Sequence, residues 1–364
     1  MVSIVLAGGG TAGHISPMVA TAEALKLADP DVTLTCVGTP KGIESKVVPA
    51  AGLDLAMVAA VPLPRRLGVD LVTMPGRLTG AVVAARRILR KRKARAVVGF
   101  GGYASLPVYL AAKTMGIPVI VHEQNALPGV ANRIAARFAS RVCVSFPNTT
   151  LPKQQYVGLP VRAAISTLDR GALRAEARRT FGLPATGPVL LVSGGSQGAA
   201  SINRAVDSAM TDLLAAGVSI LHVLGPKNMT PTTMARTDVN AGAVYEPVAY
   251  VDRMELAYAA ADLMVGRSGA GTVVETAVVG IPGIFVPLPH GNGEQAKNAE
   301  PLVAAGGCVL VGDRELTGDR LRDEVLRVIT DPAALARMTA AGHGLVPADA
   351  ASQLAAIVLE AARR

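Results

Sequence analysis

Residues 3–14 read Ser-Ile-Val-Leu-Ala-Gly-Gly-Gly-Thr-Ala-Gly-His, an apolar run followed by a glycine-rich turn. An alanine-rich segment of helical character, about residues 17–27, comes next. A strand, a glycine turn and a helix in this order are typical of nucleotide-binding α/β domains. There, glycines let the backbone approach a pyrophosphate, and the helix N-terminus favours negative charge. This stretch therefore predicts an α/β fold.

The same unit recurs along the chain. Further apolar runs that end in glycine or polar turns lie at residues 32–37, 96–98, 118–121, 189–192, 220–224, 262–265 and 283–286. Strands that alternate with helices predict parallel sheets with right-handed crossovers. A polar stretch with proline and glycine, residues 149–161, interrupts the pattern. We therefore place a linker there and predict two domains.

The composition narrows the class of protein. The chain has 364 residues, of which half are hydrophobic and 17% are charged, so a globular protein of two domains is expected. A net charge of +9 indicates an anionic partner. Cys36, Cys143 and Cys308 lie far apart, which predicts a reducing compartment and neither a zinc site nor disulfides. The strand-like start predicts no signal peptide, and no apolar run reaches the ~18 residues of a transmembrane helix.

The first glycine turn matches the dinucleotide-binding pattern Gly8-x-Gly10-x-x-Gly13. A dehydrogenase would also place an acid at the end of the second strand, to bind the ribose hydroxyls. Here that strand ends in residues 37–39, Val-Gly-Thr, and His14 directly follows the turn. Both features argue against a nicotinamide cofactor, and a tight turn without a ligand is the simpler alternative.

Polar turns follow several of the other predicted strands. They lie at residues 99–103, 122–125, 193–198, 266–275 and 290–298. Ligands of open α/β sheets bind at this edge, and glycine turns in matching places of two domains predict a cleft that holds a diphosphate without a metal. Each turn also has a simpler interpretation as a loop or helix cap. Glu275, which we expect in the first turn of its helix, would there also be a routine partner of the helix dipole.

A basic and apolar segment stands out between residues 65 and 95, with ten arginines and lysines against one acid, Asp70. One helical face of it carries apolar side chains and the flanks are basic. The apolar residues are Leu78, Val82, Ala85 and Leu89, and the flanking ones are Arg86, Arg90 and Lys93. This pattern indicates either a membrane-surface helix or a crossover helix with one buried face. Arg65, Arg66, Met74 and Pro75 favour the membrane, because such a loop can enter an anionic leaflet.

Together these motifs resemble the MurG family of peptidoglycan glycosyltransferases. The resemblance is carried by residues 8–17, 99–103, 122–125, 194–198 and 267–270, and the motifs follow the family's order through to the last helix. It implies the GT-B fold, in which two Rossmann-like parallel-sheet domains face an interdomain cleft. Residues 1–161 would form the acceptor and membrane-facing domain, joined by a C-terminal helix at 346–364, and residues 162–345 would bind UDP-GlcNAc.

The resemblance also implies the reaction. The enzyme would transfer GlcNAc from UDP-GlcNAc, with inversion, to the C4 hydroxyl of MurNAc-pentapeptide-pyrophosphoryl-undecaprenol (lipid I), forming lipid II and UDP in peptidoglycan synthesis. It would act peripherally at the cytoplasmic face of the cell membrane, on an anionic membrane surface, in cell wall biogenesis, cell shape and cell division. No nucleic acid partner, cofactor or metal is expected.

Family motifs further imply the site residues. The donor contacts would be Thr11, Ala12, Gly13, Asn125, Arg162, Ser196, Val251, Ala270, Gly271, Thr272, Glu275 and Gln295. The acceptor and diphosphate loops would include Gly10, Gly101, Gly102 and Tyr103. The family often has two adjacent glutamines where this chain has Glu294 and Gln295, so the role of Glu294 stays open.

Inversion requires a single displacement, with a base near the acceptor hydroxyl. His14 is one candidate for this base and Glu123 is the other, and the sequence does not choose between them. Two other functions also remain. A UDP-GlcNAc 2-epimerase shares the fold but needs no lipid, and a non-catalytic, membrane-associated nucleotide-binding protein needs no polar turns. The basic and apolar segment favours a lipid acceptor, and the complete set of polar turns favours an enzyme.

Overall fold

The computed structural model describes residues 2–40, 42–61 and 69–364, without the side chains of 69–73. Arg65 and Arg66 of the basic and apolar segment lie outside the described residues. The chain divides into two compact units. Unit 1 comprises Met1–Arg162 and Pro347–Arg364, and unit 2 comprises Ala163–Val346.

Unit 1 alternates strands and helices. Its strands are β1 (Ser3–Ala7), β2 (Thr33–Gly38), β3 (Asp54–Met57), β4 (Ala96–Gly99), β5 (Val119–Glu123), β6 (Arg141–Val144) and β7 (Gln154–Tyr156). Its helices are α1 (Ala12–Ala28), α2 (Glu44–Ala50), α3 (Val69–Lys91), α4 (Ser105–Thr114) and α5 (Val130–Ala135), together with α14 (Ala350–Arg363) from the end of the chain.

The sheet of unit 1 is parallel, in the order β3-β2-β1-β4-β5-β6-β7. The chain order therefore reverses at β1, which pairs with β2 on one side and with β4 on the other. Such a switch point opens a crevice beyond the carboxyl ends of the two diverging strands. The turns after β1 and β4 border this crevice, and both carry residues that the sequence analysis assigns to the site.

Unit 2 repeats this plan. Its strands are β8 (Val189–Ser193), β9 (Ser219–Val223), β10 (Arg236–Thr237), β11 (Val244–Val248), β12 (Leu263–Gly266), β13 (Gly283–Phe285) and β14 (Cys308–Leu310). Its helices are α6 (Ala163–Ser166), α7 (Arg170–Thr180), α8 (Ala200–Ala215), α9 (Met254–Ala260), α10 (Ala270–Val279), α11 (Glu294–Ala305), α12 (Gly318–Ile329) and α13 (Pro332–Gly342). The sheet order is β10-β11-β9-β8-β12-β13-β14, and only β10 is antiparallel to its neighbour. The switch point lies between β8 and β12.

The last helix, α14, completes one face of the core of unit 1. Its buried residues Leu354 and Val358 belong to the same cluster as Leu6 of β1 and Met18 and Leu25 of α1. The two helices and the sheet thus share one apolar layer, in which burial is the main stabilising contribution.

Helix α3 uses its apolar face inside unit 1. Ala85 and Leu89 are buried in a cluster with Val108 and Ala112 of α4, and Val82 packs against it. This is the arrangement expected of a crossover helix with one buried face. Val82, Ala85 and Leu89 of the apolar face are therefore packed against the core and are not free for a membrane.

A buried arginine fastens α7 to the sheet of unit 2. The side chain of Arg178 is only 2% exposed and forms an ion pair of 3.2 Å with Asp262, at the start of β12. Its guanidinium also donates to the carbonyl groups of Pro184, Ala185, Gly187 and Ala260. All of these acceptors would lose their donor if the side chain were shortened. Arg174 reaches the same carboxylate at 2.6 Å, but it is 34% exposed.

We expect Arg178→Met to lower the free energy of unfolding of unit 2 by about 3 kcal/mol, because it leaves buried acceptors without a donor. Arg174→Gln is the matched control and should cost less than about 1 kcal/mol, since water screens its charge. Urea titration with hydrogen exchange at the amides of β8 and β12 measures both. Equal losses in the two variants would contradict the special role of Arg178.

Candidate functional site

The turns that follow β1 and β4 touch each other at the switch point of unit 1. Gly102 has a φ of +80°, and a Cβ atom there would overlap the carbonyl oxygen of Gly9. The hydroxyl of Ser105 donates to the carbonyl of Ala7 at 2.8 Å, and the amide of Phe100 does the same. Only glycine allows this close approach, so the two turns form one surface.

His14 lies in the first turn of α1, because this helix begins at Ala12 and not near residue 17 as the sequence suggested. Thr11 is the extended N-cap residue, and its carbonyl accepts from the amides of His14 and Ile15. The Thr11 hydroxyl is 2.8 Å from Nδ1 of His14. The other edge of the ring faces Gly101, where a Cβ atom would lie 3.4 Å from Nε2.

Loss of hydration, and not a neighbouring charge, favours the neutral form of the His14 imidazole. Burial lowers its pKa to about 4, and the nearby Glu44 carboxylate opposes this by raising it. Above that pH the ring carries one proton and one lone pair. The lone pair can accept a proton from a substrate hydroxyl, so His14 has the protonation state that a general base needs.

Glu123 is the last residue of β5, where the sequence analysis placed a loop, and it is 2% exposed. Its Oε1 accepts from the amide of Asn125 at 2.9 Å, and its Oε2 accepts from the amide of Gly129 at 3.0 Å and from Nδ2 of Asn132 at 2.9 Å. Burial raises the pKa of Glu123 above its usual range, although these hydrogen bonds oppose the shift. Both carboxylate oxygens are thus engaged with the turn that carries Asn125.

Asn132 lies between Glu123 and the turn that follows β4. Its Nδ2 donates to Glu123 and lies 3.2 Å from the position of a Cβ atom at Gly101. Its Oδ1 accepts from the hydroxyl of Tyr109 at 2.8 Å. The sequence analysis missed Asn132 and Tyr109; the one available signal is a lone asparagine within the short apolar helix α5.

Two of the predicted acceptor-loop residues stand at the outer rim of this surface. Tyr103 is 48% exposed, and a Cβ atom at Gly10 would lie 3.9 Å from its ring. The amide of Gly10, which we expected to face a diphosphate, instead donates to the Glu44 carboxylate at 3.1 Å. An anion at this turn would therefore have to use the amides of Ala12 and Gly13 in the first turn of α1.

The switch point of unit 2 is built in the same way. Gly198 has a φ of +73°, and a Cβ atom there would overlap the carbonyl oxygen of Leu224 at the end of β9. A Cβ atom at Gly266 would lie 2.7 Å from the carbonyl oxygen of Ser193. Ser196 is exposed at the tip of the turn between β8 and α8.

Helix α10 presents its N-terminus at this switch point. Ala270, Gly271 and Thr272 form its first turn, and the N-cap residue Gly269 has no side chain to satisfy their amides. Glu275 lies one turn further than we expected, as the sixth residue of the helix, and accepts from the hydroxyl of Tyr258 at 2.8 Å. The helix therefore offers backbone donors at its end and a carboxylate on its second turn.

An ion pair ties together several strand ends of unit 2. Arg267 contacts Asp313 at 2.5 Å, donates to the carbonyls of Val286 and Pro287 at 3.1 Å, and reaches the hydroxyl of Ser201 at 2.9 Å. Burial would raise the pKa of Asp313, but hydrogen bonds from Ser201 and Arg267 outweigh it and hold the pKa below its usual range. The sequence analysis missed Asp313, which follows β14, far along the chain from its partners.

The other predicted donor residues lie at separate points. Glu294 and Gln295 begin α11, and Oε1 of Gln295 accepts from the amide of Leu288 at 2.9 Å. Val251 is buried in the loop after β11, and Arg162 is the partly buried last residue of the first segment of unit 1. Of the predicted donor contacts, Thr11, Ala12, Gly13, Asn125 and Arg162 belong to unit 1 and the remainder to unit 2. Within the described part of the chain, no cluster of three or more His, Cys, Asp and Glu residues could hold a metal ion.

Two family models match the chain. The glycosyltransferase family 28 N-terminal domain matches residues 4–144, and the glycosyltransferase family 28 C-terminal domain matches residues 189–354. A protein of Cutibacterium acnes is 56% identical over 368 residues, which cover 100% of this chain and 98% of that one. A protein of a Nocardioides species is 53% identical over 357 residues, which cover 98% and 97%. Both are named UDP-N-acetylglucosamine–N-acetylmuramyl-(pentapeptide) pyrophosphoryl-undecaprenol N-acetylglucosamine transferase.

Solved structures agree with the fold. The crystal structure of MurG from Acinetobacter baumannii has a TM-score of 0.77 at 26% identity and covers 99% of this chain and 100% of its own. A calicheamicin glycosyltransferase has a TM-score of 0.68 at 17% identity, over 100% and 99% of the two chains, and thus shares the fold. The predicted fold class, two Rossmann-like parallel-sheet domains, is confirmed.

We expect the imidazole of His14 to stay neutral from pH 8 down to about pH 5, because burial holds its pKa near 4. Nitrogen chemical shifts of histidine-labelled protein measure this, with the His14 signals assigned by their loss in His14→Ala. Thr11→Ala is the control. It should change the Nδ1 signal, which loses its hydrogen-bond partner, and leave the ring in the same position. A midpoint near pH 6.5 in the wild type would contradict the lowered pKa.

Proposed function

The chain belongs to glycosyltransferase family 28, and from this premise we propose that it transfers GlcNAc from UDP-GlcNAc to undecaprenyl-pyrophosphoryl-MurNAc-pentapeptide, releasing UDP. The observation that carries the proposal is the full-length identity of 50% or more to several transferases that bear this name. The reaction makes a peptidoglycan precursor. We therefore propose a role in cell wall biogenesis and, through the cell wall, in cell shape and cell division.

Unit 2 has the chemistry of a UDP-sugar site. The uncapped N-terminus of α10 offers the amides of residues 270–272 to a diphosphate, and the exposed turn at Ser196 adds further backbone donors. The carboxylate of Glu275 suits the ribose hydroxyls, and the amide of Gln295 suits those of the sugar. Such donors stabilise the charge that grows on departing UDP without a metal ion.

Unit 1 has the chemistry that activates the acceptor. When Nδ1 of His14 carries the ring proton and donates it to the Thr11 hydroxyl, the lone pair of Nε2 is free for the C4 hydroxyl of the muramoyl sugar. The proton moves to Nε2 as the hydroxyl oxygen attacks the anomeric carbon of GlcNAc. The bond from that carbon to the UDP oxygen breaks on the opposite face, so the configuration inverts.

Of the two candidate bases, we favour His14. Both oxygens of Glu123 already accept hydrogen bonds from its own turn, so taking a proton from a substrate would require breaking some of them. We assign to Glu123 the role of holding the turn that carries Asn125. Among the described residues, the ring of His14 forms its hydrogen bond at Nδ1, with Thr11, and none at Nε2.

We expect His14→Ala to lower turnover by about two to four orders of magnitude, which is what a general base contributes, with UDP binding nearly unchanged. The assay follows UDP release from UDP-GlcNAc with and without a lipid I analogue, and calorimetry measures UDP binding. His343→Ala, which truncates an exposed histidine after α13, is the matched control and should be fully active.

The same assay separates the alternatives. Glu123→Gln keeps the size of the side chain and one acceptor oxygen, so it should retain far more activity than His14→Ala; the reverse order would make Glu123 the base. UDP release that needs no acceptor would indicate an epimerase, and no release at all would indicate a binding protein. Either result contradicts the proposed transferase.

The lipid-linked acceptor lies in a membrane. We propose that the protein binds peripherally to the anionic, cytoplasmic surface of this membrane through the outer face of α3. Arg87, Arg90 and Lys91 are exposed there, and Val83 is 43% exposed. Arg86, in contrast, donates to the hydroxyl of Thr114 at 3.0 Å. No helix in residues 2–40, 42–61 and 69–364 is long and apolar enough to cross a bilayer.

We expect the triple variant Arg87→Gln, Arg90→Gln, Lys91→Gln to bind vesicles with a third of anionic lipid at least tenfold more weakly, because each basic residue near such a surface contributes about 1 kcal/mol. Its turnover of a detergent-soluble acceptor should not change. The matched control neutralises Arg179, Arg236 and Arg337, which are exposed in unit 2. Equal weakening in both triple variants would reduce the effect to net charge and contradict a binding face on α3.

A further inference from the structure

Glu44 is the first residue of α2, and its side chain is enclosed between two turns of unit 1. The residue is 0% exposed. Its Oε1 accepts from the amide and the hydroxyl of Thr39, both at 2.7 Å, and its Oε2 accepts from the amide of Gly10 at 3.1 Å. The carboxylate thus joins the end of β2 to the glycine turn that precedes His14.

Three glycines leave the space that this carboxylate fills. A Cβ atom at Gly9 would lie 2.6 Å from Oε1, and Cβ atoms at Gly38 and Gly42 would overlap the Glu44 side chain. None of these three has a φ in the left-handed region. Glycine is therefore required at these positions because a side chain would not fit, and not because of the backbone conformation. The internal carboxylate therefore explains why glycine stands at position 9 after β1 and at positions 38 and 42 at the end of β2 and after it.

Glu44 is charged. Burial alone would raise its pKa, but the hydrogen bonds from Thr39 and Gly10 outweigh this and hold the pKa below its usual range. Two neighbours of His14 carry no charge: Thr11, on the same turn, and Gly101, on the turn between β4 and α4. The ring of Tyr103 lies against Gly10. The Glu44 carboxylate is the charged group that acts on the imidazole within the described residues.

We infer that Glu44 is a positioning residue for the transfer reaction, which fastens the turn that carries His14 to β2 and stabilises the imidazolium that forms when His14 takes the acceptor's proton. This rests on the proposed function, in which His14 is the base. A fixed negative charge near the ring favours its protonated form, as a carboxylate does beside other catalytic histidines. The carboxylate contacts neither the sugar nor the diphosphate.

The direction of a pH effect distinguishes this role from a merely structural one. Glu44→Gln removes the charge that raises the pKa of His14, so the acid limb of the kcat/KM profile should move to lower pH, and the plateau should fall about tenfold because a weaker base remains. If Glu44 only supported the fold, its loss would admit water to the turn. Burial would then weaken, the pKa of His14 would rise, and the acid limb would move to higher pH.

The experiment measures kcat/KM from pH 3 to 8 for the wild type, Glu44→Gln and Glu23→Gln, so that the acid limb and its displacement to lower pH fall within the range. Glu23 is exposed on the same helix as His14 and should leave the profile unchanged, so it is the matched control for loss of one negative charge. Urea titration identifies the pH range in which each variant is folded. A wild-type profile in folded Glu44→Gln, or an acid limb moved to higher pH, would overturn the inference.

A double-mutant cycle tests whether Glu44 acts through His14. Glu44→Gln should lower turnover in the wild type but have no further effect in His14→Ala, since the group it acts on is gone. An equal, additional loss in that background would overturn the inference. Failure of the proposed function looks different: His14→Ala would then be fully active, whereas the nitrogen shifts of His14 would still respond to Glu44→Gln.

Discussion

The position of β1 between β2 and β4 is the constraint on which the organisation of unit 1 depends. Parallel pairing on both sides brings the carboxyl ends of three strands to one edge, and the reversal of strand order leaves the turns after β1 and β4 beside each other. The turn with Gly10 and His14 therefore meets the turn with Gly101 and Tyr103, although almost ninety positions separate the two turns in the sequence. In unit 2, β8 has the same place between β9 and β12, and it brings the turn at Ser196 next to the N-terminus of α10.

The fold could be predicted from the sequence where strands are long and apolar. The runs that form β1, β2, β8 and β12 each end in a glycine turn, and together they imply the two parallel sheets. Six strands could not be found in this way: β3, β6, β7, β10, β11 and β14. None of them has more than five residues, and β7, β10 and β14 have only two or three and lie at the sheet edges. Propensity is weak over so few residues, and their pairing depends on neighbours distant in sequence.

The candidate site could also be predicted from the sequence only in part. Turns at strand ends are visible in the sequence as glycines and polar residues, so they could be named before the structure was known. Glu44, Asn132 and Asp313 could not be named in this way. Their hydrogen-bond partners Gly10, Glu123 and Arg267 are 34, 9 and 46 residues away in the sequence, and only the folded chain brings them into contact. The missing acid at the end of β2 argued against a nicotinamide cofactor. An acid, Glu44, does follow six residues after the end of β2, but its carboxylate accepts hydrogen bonds from the backbone amides of Thr39 and Gly10.

Helix α14 has a consequence for how the protein is made. It supplies Leu354 and Val358 to a core that also contains Leu6 and Met18, so the first and last parts of the chain share one apolar layer. During synthesis, residues of β1 and α1 leave the ribosome long before α14 exists, and all of unit 2 is translated in between. Unit 2 can therefore reach its final packing while the nascent unit 1 still lacks α14. Until α14 has been translated, the apolar surface of α1 that it covers stays accessible to chaperones.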